Sequence, residues 1–563
     1  MVKTFAHLED QPLRVVKIGN IPLDLQELCS QLDANTLNCH SIKQFFDIAE
    51  LICIHSAILI VSLELDESSC TKILQQETLL EKQLCLGFLV SQDNEFLVLQ
   101  LKKIVSSRNK PILGFSAAFV DEGYSGEGVS SVLEKNFKQS DALLLDKILN
   151  IEFGSLFLCG HSNGVCHGTG GIALCIRDQK INEHHDSLVM PCFAGGACKF
   201  DDSKEYIHID AKRINSQVIV DFTCFGFMVT DDLYPAKHGL GRALLNSGNL
   251  KALVTSLRPL SIDQDGYLLA TFLAHDGIPM GYMAGLLNRK FAITENHLTE
   301  MICIGDPRTR LAKDIFDSGK KIVDDLTLSH KSLTQGPSRD ISVQVGYSLK
   351  DILVCKNIKS AAWSTAGRLY INISKKGIDI NIKRVNIDTL RRRFNYKAFI
   401  PFVIFLKFYI ESIVNTQNCA DNDIRIQVLT ECEKRRCELF EFIFSFNPIS
   451  LFNPGGVMFE EKIRAITNEY MNYLVGLSEQ LNTVHLMTSA TPNLCFAAGA
   501  HVLHSRNIPN QIKECPYCRS RAVLICKEMV EIDFKRKALF CDRCGPIYEG
   551  LGLTKSIRVM KAE

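Results

Sequence analysis

Two short apolar runs that each lead into a chemically reactive side chain constrain this sequence most. Residues 155–160 read Ser-Leu-Phe-Leu-Cys-Gly and lead into His161, and residues 217–223 read Gln-Val-Ile-Val-Asp-Phe-Thr and lead into Cys224. Short runs rich in β-branched and aromatic residues predict buried strands of a parallel sheet. Because the carboxyl ends of parallel strands open on one crevice, we expect His161 and Cys224 to lie close together there.

A histidine beside a cysteine is the pair that nucleophilic catalysis by a thiol requires. The imidazole accepts the thiol proton, and the resulting thiolate attacks the substrate. On spacing alone, a core role for both residues is the simpler interpretation, because a buried cysteine behaves as a small hydrophobic side chain. The surrounding elements decide between these two interpretations.

The composition indicates an ordinary globular chain without a bulk charge. Of 563 residues, 46% are apolar, and 63 basic side chains balance 63 acidic ones. This length suffices for about three domains. We divide the chain into an N-terminal α/β segment (1–105), a second unit (106–330), an α+β region (331–505) and a C-terminal segment (506–563). The balanced charge gives no support for bulk attraction to nucleic acid or to an acidic membrane.

The sequence predicts a cytoplasmic protein without a membrane segment. The first ten residues lack the apolar core of a signal peptide. The apolar stretch at 398–414 is interrupted by Pro401, Lys407 and Glu411, so it predicts a buried helix instead of a membrane span. We interpret the 22 scattered cysteines as reduced thiols together with one metal site.

Alternating strand and helix patterns predict an α/β chain with a mostly parallel sheet and flanking helices. Strands are predicted at 57–63, 85–90, 96–101, 111–115, 252–257 and 301–305, and helices at 69–82, 129–150, 240–247, 267–275 and 279–289. Farther along, we predict strands at 341–345, 351–355 and 368–374, then helices at 389–416, 430–444 and 458–481. The change of pattern indicates a separate α+β region.

Residues 111–311 resemble the caspase-like fold, and in particular the CHAT and gingipain-like cysteine peptidases. The resemblance lies in four consecutive elements: the strand and Gly-His pair at 156–161, the strand and cysteine at 218–226, the helix and strand at 241–260, and the Gly-Asp-Pro turn at 305–307. It covers roughly a third of the chain. It implies a caspase-like, mostly parallel sheet in this region.

The resemblance also implies an activity, which is hydrolysis of a peptide bond in a protein or peptide substrate. Cys224 is then the nucleophile and His161 the general acid and base, with backbone N–H groups near Gly164 and of Cys224 stabilising the oxyanion. Two positions depart from the family pattern, which commonly has glycine after the histidine and a small residue after the cysteine. Here Ser162 and Phe225 occupy these positions, which leaves room for an inactive relative or for an unusual substrate.

Asp221, three residues before Cys224, has two interpretations. It lies below the cleft and favours a basic substrate residue, or it is a strand-end carboxylate that faces water or caps a turn. The second interpretation is the simpler one.

The segment between His161 and Cys224 is rich in soft metal ligands. They are Cys166, His167, Cys175, His184, His185, Cys192 and Cys198. Their spacing lacks the tight pairs of a zinc site, so ordinary thiols and solvated histidines are the simpler explanation. Cys192 precedes two glycines after a short gap and is a second candidate for the nucleophile.

The last segment carries the most specific local motif of the chain. Cys515 and Cys518 form one Cys-x-x-Cys pair, and Cys541 and Cys544 form another after a β-rich stretch. Two such pairs predict a zinc ribbon in which four thiolates hold a structural Zn²⁺.

Basic residues flank the predicted ribbon, and aromatic residues lie among them: Lys513, Arg519, Arg521, Lys535, Arg536, Lys537 and Arg543, with Tyr517, Phe534 and Phe540. This pattern is compatible with a nucleic-acid platform, but acidic neighbours dilute it and favour a solvated face. The leading hypothesis is a cysteine peptidase controlled by a partner protein or signal through its accessory domains. The alternative is an inert caspase-like scaffold that binds nucleic acid or protein through the ribbon.

Overall fold

The computed structural model describes residues 12–33, 35–49, 57–75, 85–106, 112, 115–120, 135–137, 153–162, 164–169, 172–176, 207–230, 236–257, 264–275, 277–293, 301–311, 339–344, 352–355, 363–365, 368–373, 382–385, 430, 434, 504–515, 519, 521–529, 534–541 and 545–550. These residues fall into two compact units. The first lies within 1–178, 199–230 and 237–391, and the second within 179–198, 231–236 and 392–563.

A ten-stranded sheet and a four-stranded sheet belong to the first unit. Their strands are β1 (Leu13–Ile18), β2 (Leu37–Cys39), β3 (Ala57–Ser62), β4 (Cys85–Val90), β5 (Phe115–Val120), β6 (Lys135–Phe137), β7 (Phe153–Cys159), β8 (His161–Ser162), β9 (Cys166–Thr169), β10 (Ile172–Cys175), β11 (Ile207–Asp210), β12 (Ser216–Phe222), β13 (Ala252–Ser256) and β14 (Met301–Gly305). The large sheet has the order β2-β1-β3-β4-β14-β13-β12-β7-β5-β6, and the small one has the order β11-β10-β9-β8.

The large sheet consists of two parallel halves with the same internal order. In the N-terminal half, strands β2, β1, β3 and β4 are all parallel. In the C-terminal half, β6, β5, β7, β12 and β13 are parallel in the order second, first, third, fourth, fifth. Strand β14 joins the halves, because it pairs parallel with β4 and antiparallel with β13. The N-terminal segment, which the sequence analysis separated at residue 105, thus belongs to the same sheet.

The central strands are apolar on both faces because helices and loops cover the sheet. Every residue of β3, β4 and β7 is buried, which is typical of parallel strands between two layers. The helices are α1 (Leu23–Leu32), α2 (Ile42–Ala49), α3 (Glu67–Gln75), α4 (Asn94–Ser106), α5 (Leu240–Asn246), α6 (Gln264–His275) and α7 (Met280–Ile293), with 3-10 turns at Ala211–Arg213 and Ala236–His238. The prediction of an α/β fold with a mostly parallel sheet is confirmed.

Three predicted elements differ from the structure. Residues 96–101, predicted as a strand, lie in α4, and Phe96, Leu97, Gln100, Leu101 and Ile104 form its buried face. The spacing of these buried residues is helical. The sequence prediction failed because a short apolar run fits a helix and a strand equally well. The strand predicted at 111–115 begins only at its last residue, since β5 starts there. The range 129–150 was predicted as a helix, but residues 135–137 within it form β6.

The remaining described strands form small antiparallel sheets. In the first unit they are β15 (Arg339–Gln344), β16 (Ile352–Cys355), β17 (Trp363–Thr365), β18 (Arg368–Ile373) and β19 (Ile382–Val385); in the second, β20 (His504–Glu514), β21 (Arg521–Met529), β22 (Phe534–Cys541) and β23 (Gly545–Gly550). Three predicted strands correspond to β15, β16 and β18. The helices predicted at 389–416, 430–444 and 458–481 lie outside the described residues, apart from Thr430 and Lys434, which are helical.

Candidate active site

The neighbouring strands β7 and β12 deliver His161 and Cys224 to the same edge of the sheet. Phe222 pairs in parallel register with Cys159, so His161 and Cys224 each lie two residues beyond the same register position. Adjacent strands lie about 4.8 Å apart. The Gly160 N–H also donates to the Phe222 carbonyl at 3.4 Å. The backbone therefore places the two predicted residues just beyond neighbouring strand ends, and the imidazole of His161 lies outside the described side chains.

Cys224 lies on a tight turn whose backbone conformation and close packing restrict the residues that follow it. Phe225 has a φ of 52°, in the left-handed region that side chains other than glycine rarely adopt. A Cβ atom on Gly226 would overlap Thr255 Oγ1 and lie 2.5 Å from Asp221 Oδ2. The chain is thus folded back against the sheet directly after Cys224.

Cys224 differs from the other cysteines in its exposure. Of the ten cysteines whose burial the structure describes, nine are buried and only Cys224 is partly exposed. Burial raises the pKa of the Cys85 thiol to about 12 and the pKa values of the Cys70 and Cys303 thiols well above the usual value. These buried thiols are poor nucleophiles at neutral pH. Cys224 is therefore the described thiol most accessible to a substrate.

Gly164 approaches the Cys224 turn but uses its backbone groups internally. Its φ is +92°, and a Cβ atom there would lie 2.9 Å from Met228 Sδ and 3.6 Å from the Phe225 carbonyl oxygen. The Gly164 N–H donates to Ser162 Oγ at 3.0 Å, and its carbonyl accepts the Leu240 N–H at 2.8 Å. In this conformation the N–H predicted to stabilise an oxyanion is held by the serine that departs from the family pattern.

Asp221 is buried and does not line the cleft. Its side chain is 1% exposed, so the interpretation that it faces water is wrong. Thr223 Oγ1 donates to the carboxylate at 2.9 Å, Thr255 Oγ1 donates at 3.1 Å, and His167 Nδ1 lies 3.4 Å away. Burial raises the pKa of Asp221 to about 7, although the two threonine hydroxyls act in the opposite direction. A carboxylate enclosed in this way does not reach a substrate side chain.

The predicted ligand-rich segment is described only in part. Cys166 and Cys175 are buried and face each other across β9 and β10, and His167 is fully buried on β9. His184, His185, Cys192 and Cys198, including the second candidate nucleophile, lie outside the described residues. Within the part of the chain that is described, no group of three His, Cys, Asp or Glu residues is arranged to hold a metal ion.

Glu67, which the sequence analysis missed, holds the segment that comes after Cys224. Its carboxylate accepts hydrogen bonds from the N–H groups of Val229 and Thr230 at 2.7 and 2.9 Å, and from Thr230 Oγ1 at 2.7 Å. Burial raises the pKa of Glu67 to about 7 against the effect of these bonds. Glu67 begins α3, where acidic residues are common, so its sequence context did not reveal a distant partner.

The Gly-Asp-Pro turn directly follows β14, where the sequence predicted a strand that runs into a turn. Gly305 has a φ of +107°. The Asp306 carboxylate accepts from the Arg308 guanidinium at 3.0 and 2.9 Å, and from the Arg308 N–H at 3.0 Å. The Pro307 carbonyl accepts the Gly281 N–H at 3.0 Å. The turn is fixed against both its own side chains and α7.

In the second unit, Cys515 and Cys541, one from each cysteine pair, lie at the ends of two antiparallel hairpin strands. Strands β20 to β23 form an antiparallel sheet in sequence order. The turn between β20 and β21 and the turn between β22 and β23 therefore lie at the same end of that sheet. Cys515 is buried and its carbonyl accepts the Arg519 N–H at 3.0 Å, and Cys541 ends β22. Cys518 and Cys544 lie outside the described residues.

No protein-family model, characterised protein or solved structure matches the chain significantly. None of the helices in the described part of the chain is long and apolar enough to span a membrane.

Proposed function

We propose that this protein is a caspase-like cysteine peptidase with Cys224 as nucleophile and His161 as general acid and base. One observation carries the proposal: Cys224 is the only partly exposed thiol among the ten described, and its backbone lies one strand from that of His161, beyond the same register position. The mostly parallel sheet, ended on one side of this half by the antiparallel β14, fits the caspase-like architecture.

The proposed reaction is acyl transfer from a peptide bond. His161 takes the Cys224 proton, and the thiolate adds to the scissile carbonyl to form a tetrahedral oxyanion. Collapse of that intermediate breaks the C–N bond while His161 returns the proton to the leaving amine. Water then hydrolyses the thioester and regenerates the thiol. The Cys224 N–H is the remaining candidate donor to the oxyanion, with the Gly164 N–H available once Ser162 Oγ releases it.

The second unit supports a structural zinc ribbon. Cys515, Cys518, Cys541 and Cys544 would hold Zn²⁺ as four thiolates, and such a closed ligand set leaves no position for a substrate. The support is topological, because Cys515 and Cys541, one from each pair, lie at the same end of the four-stranded sheet. Zinc would join two hairpins, in which Ala522, Leu524 and Leu539 are buried among the described side chains.

Localisation and control belong to the same proposal. The peptidase would act in the cytoplasm on a protein or peptide substrate, and residues 331–505 would receive a regulatory partner or signal.

The alternative is an inert scaffold that binds nucleic acid or protein through the ribbon. The observation that favours it is the hydrogen bond from the Gly164 N–H to Ser162 Oγ, which occupies a donor that the proposed reaction would use. Under this alternative the sheet presents accessory surfaces and Cys224 has no chemical role.

A peptide that carries a thiol-reactive electrophile tests the peptidase proposal. We expect covalent labelling that is lost in both Cys224→Ala and His161→Ala and is retained in Cys192→Ala. Ser162→Gly should increase the labelling rate, because it frees the Gly164 N–H. Labelling that survives Cys224→Ala, or that shifts to Cys192, would exclude the proposed nucleophile.

Zinc content and nucleic-acid binding test the second unit and the alternative. The purified protein should contain about one zinc per chain by elemental analysis, and replacing Cys515 and Cys541 together by serine should remove it. A salt-sensitive gel shift with nucleic acid that disappears on chelation, in a protein that the peptide electrophile does not label, would establish the scaffold alternative.

A further inference from the structure

A buried polar cluster lies directly beneath the turn that carries Cys224. Asp221 is its centre, and His167, Thr223 and Thr255 surround the carboxylate. All four residues are at most 1% exposed. They come from three strands and one turn, since Asp221 lies near the end of β12, Thr223 comes directly after that strand, Thr255 lies on β13 and His167 lies on β9.

The cluster contacts the chain on both sides of the nucleophile. Thr223, the residue before Cys224, donates its hydroxyl to both carboxylate oxygens at 2.9 Å. Gly226, two residues after Cys224, passes so close that a Cβ atom there would lie 2.5 Å from Asp221 Oδ2. The intervening Phe225 is held at a positive φ. The carboxylate and the Thr255 hydroxyl thus form the surface against which the turn is folded.

We propose that Asp221 is a positioning residue that holds the Thr223–Gly226 turn and thereby aims the Cys224 thiol. Its effect on turnover depends on the proposed peptidase function, whereas its effect on the conformation of the turn does not. Asp221 touches no substrate and acts through Thr223, Thr255 and the close approach of Gly226.

The arrangement is costly for stability, which argues that geometry is its main effect. Removing a carboxylate from water is unfavourable, and buried polar groups are often less stabilising than apolar side chains of similar volume. The raised pKa of Asp221 shows the same cost. In return, the carboxylate accepts two hydroxyl donors in fixed directions, which an apolar side chain does not.

Asp221→Asn and Asp221→Leu separate positioning from simple packing. Asparagine keeps the size and a carbonyl oxygen that accepts the threonine hydroxyls, whereas leucine keeps only the approximate volume. Thr255→Val removes a single donor and serves if the leucine variant does not fold. Ser62→Ala is the matched control, because Ser62 is a buried hydroxyl at the end of β3 that donates to the Ile18 carbonyl at 2.8 Å.

Three readouts follow the Cys224 turn in each variant. Backbone hydrogen exchange at residues 223–227 and alkylation of Cys224 by iodoacetamide, measured by peptide mass, report the turn without any activity. With the peptide electrophile, the maximal inactivation rate should fall about tenfold to a hundredfold in Asp221→Leu, with half-saturation unchanged within about twofold. Exchange at the turn should rise in the same variant. Asp221→Asn should recover both values to within about threefold, and Ser62→Ala should change neither.

The outcomes distinguish the two proposals. If a folded Asp221→Leu or Thr255→Val keeps wild-type exchange and alkylation at the turn, the positioning role is excluded. If only half-saturation changes, Asp221 affects binding and the positioning role is again excluded. If the wild-type protein is not labelled by the peptide electrophile, the peptidase proposal fails, and exchange and alkylation still decide the role of Asp221.

Discussion

The two halves of the large sheet share a strand order but differ in the residues that lie just beyond their strand ends. In the C-terminal half, the residues two positions beyond the paired ends of β7 and β12 are His161 and Cys224. In the N-terminal half, Ser62 pairs with Val90 at the ends of β3 and β4, and the corresponding positions hold Glu64 and Gln92. The scaffold is therefore common to both halves, and the chemistry depends on the residues at the strand ends.

The edge of the N-terminal half satisfies its own polar groups. The Glu64 carboxylate accepts the Asn20 N–H at 2.8 Å, and the Ser62 hydroxyl accepts the Glu64 N–H at 3.1 Å. The Ser91 hydroxyl accepts the Asp93 N–H at 3.1 Å. These bonds fix the loops that follow β3 and β4, and the residues directly beyond these two strands, 63–66 and 91–93, include no cysteine or histidine.

The N-terminal half instead supports its neighbour. Lys103 on α4 donates to the carbonyls of Leu245 and Ser247 at 2.5 and 3.1 Å, which satisfies groups left open at the end of α5. Arg242 on α5 binds the Asp93 carboxylate and stacks over the Phe96 ring at 4.4 Å. The N-terminal half thus contributes contacts that hold α5, while Cys224, the proposed nucleophile, lies in the C-terminal half.

The largest expected difference between the halves is in thiol reactivity. Cys224 should react with a small disulfide reagent at least about a hundred times faster than Cys85 in the folded protein, because Cys85 is buried and its pKa is raised to about 12. The rates are measured by peptide mass after timed labelling at about pH 7.5, near neutrality, where the raised pKa keeps Cys85 protonated. Comparable rates for both thiols would remove the distinction between the halves.

The support that crosses between the halves is tested at Glu67. Glu67→Ala leaves two buried N–H groups and one hydroxyl without their acceptor, and we expect a loss of about 3 kcal/mol in the free energy of unfolding. Urea denaturation measures it. The control is Glu64→Ala, where an exposed carboxylate accepts one N–H within the N-terminal half and should contribute less than about 1 kcal/mol. Equal losses would mean that Glu67 is no more important than a surface acceptor.

The close packing behind Cys224 is tested by two glycines of the C-terminal half. Gly226→Ala places a methyl group against Thr255 and Asp221 and should cost about 2 kcal/mol. Gly248→Ala places it in open space, where nothing lies within 4 Å, and should be neutral or stabilise by about 0.5 kcal/mol. Thermal unfolding of the two variants should therefore shift in opposite directions or by clearly different amounts. A neutral Gly226→Ala would show that the turn is loosely packed.

Both halves also contribute a pH dependence of the folding equilibrium. The pKa values of Glu67 and Asp221 are raised to about 7 in the folded state, whereas both are about 4 in the unfolded chain. At pH values between the unfolded and the folded pKa, the folded state binds more protons than the unfolded chain. These groups therefore stabilise the folded state most at acidic pH, and this contribution is lost as pH rises toward 7. Urea midpoints at about pH 5 and about pH 7.5 should differ less in Asp221→Asn and in Glu67→Gln than in the wild type. An unchanged difference would contradict the raised pKa values.

The strands around the site were predictable because their residues are apolar over short, well-bounded runs. β3, β4, β7 and β12 needed no knowledge of their neighbours, and the shared edge of His161 and Cys224 followed from parallel pairing. The continuity of the sheet across residue 105 did not follow, because it depends on the pairing of Phe88 with Ile304 far away in sequence. The partners of Asp221 were hidden for the same reason, although Thr223 shares its face by strand periodicity. Helix α4 was wrongly predicted as a strand because a six-residue apolar window fits either period.

The position of β14 sets an order of events during synthesis. β4 and β13 are synthesised before β14. In the folded sheet, β14 covers one edge of each of these two strands, and it ends at Gly305. A nascent chain that stops short of this strand exposes two unpaired strand edges, which invite aggregation or recognition by chaperones. The two halves of the sheet therefore join only after residue 305 has left the ribosome. Chains truncated before that residue should behave as incomplete folding intermediates.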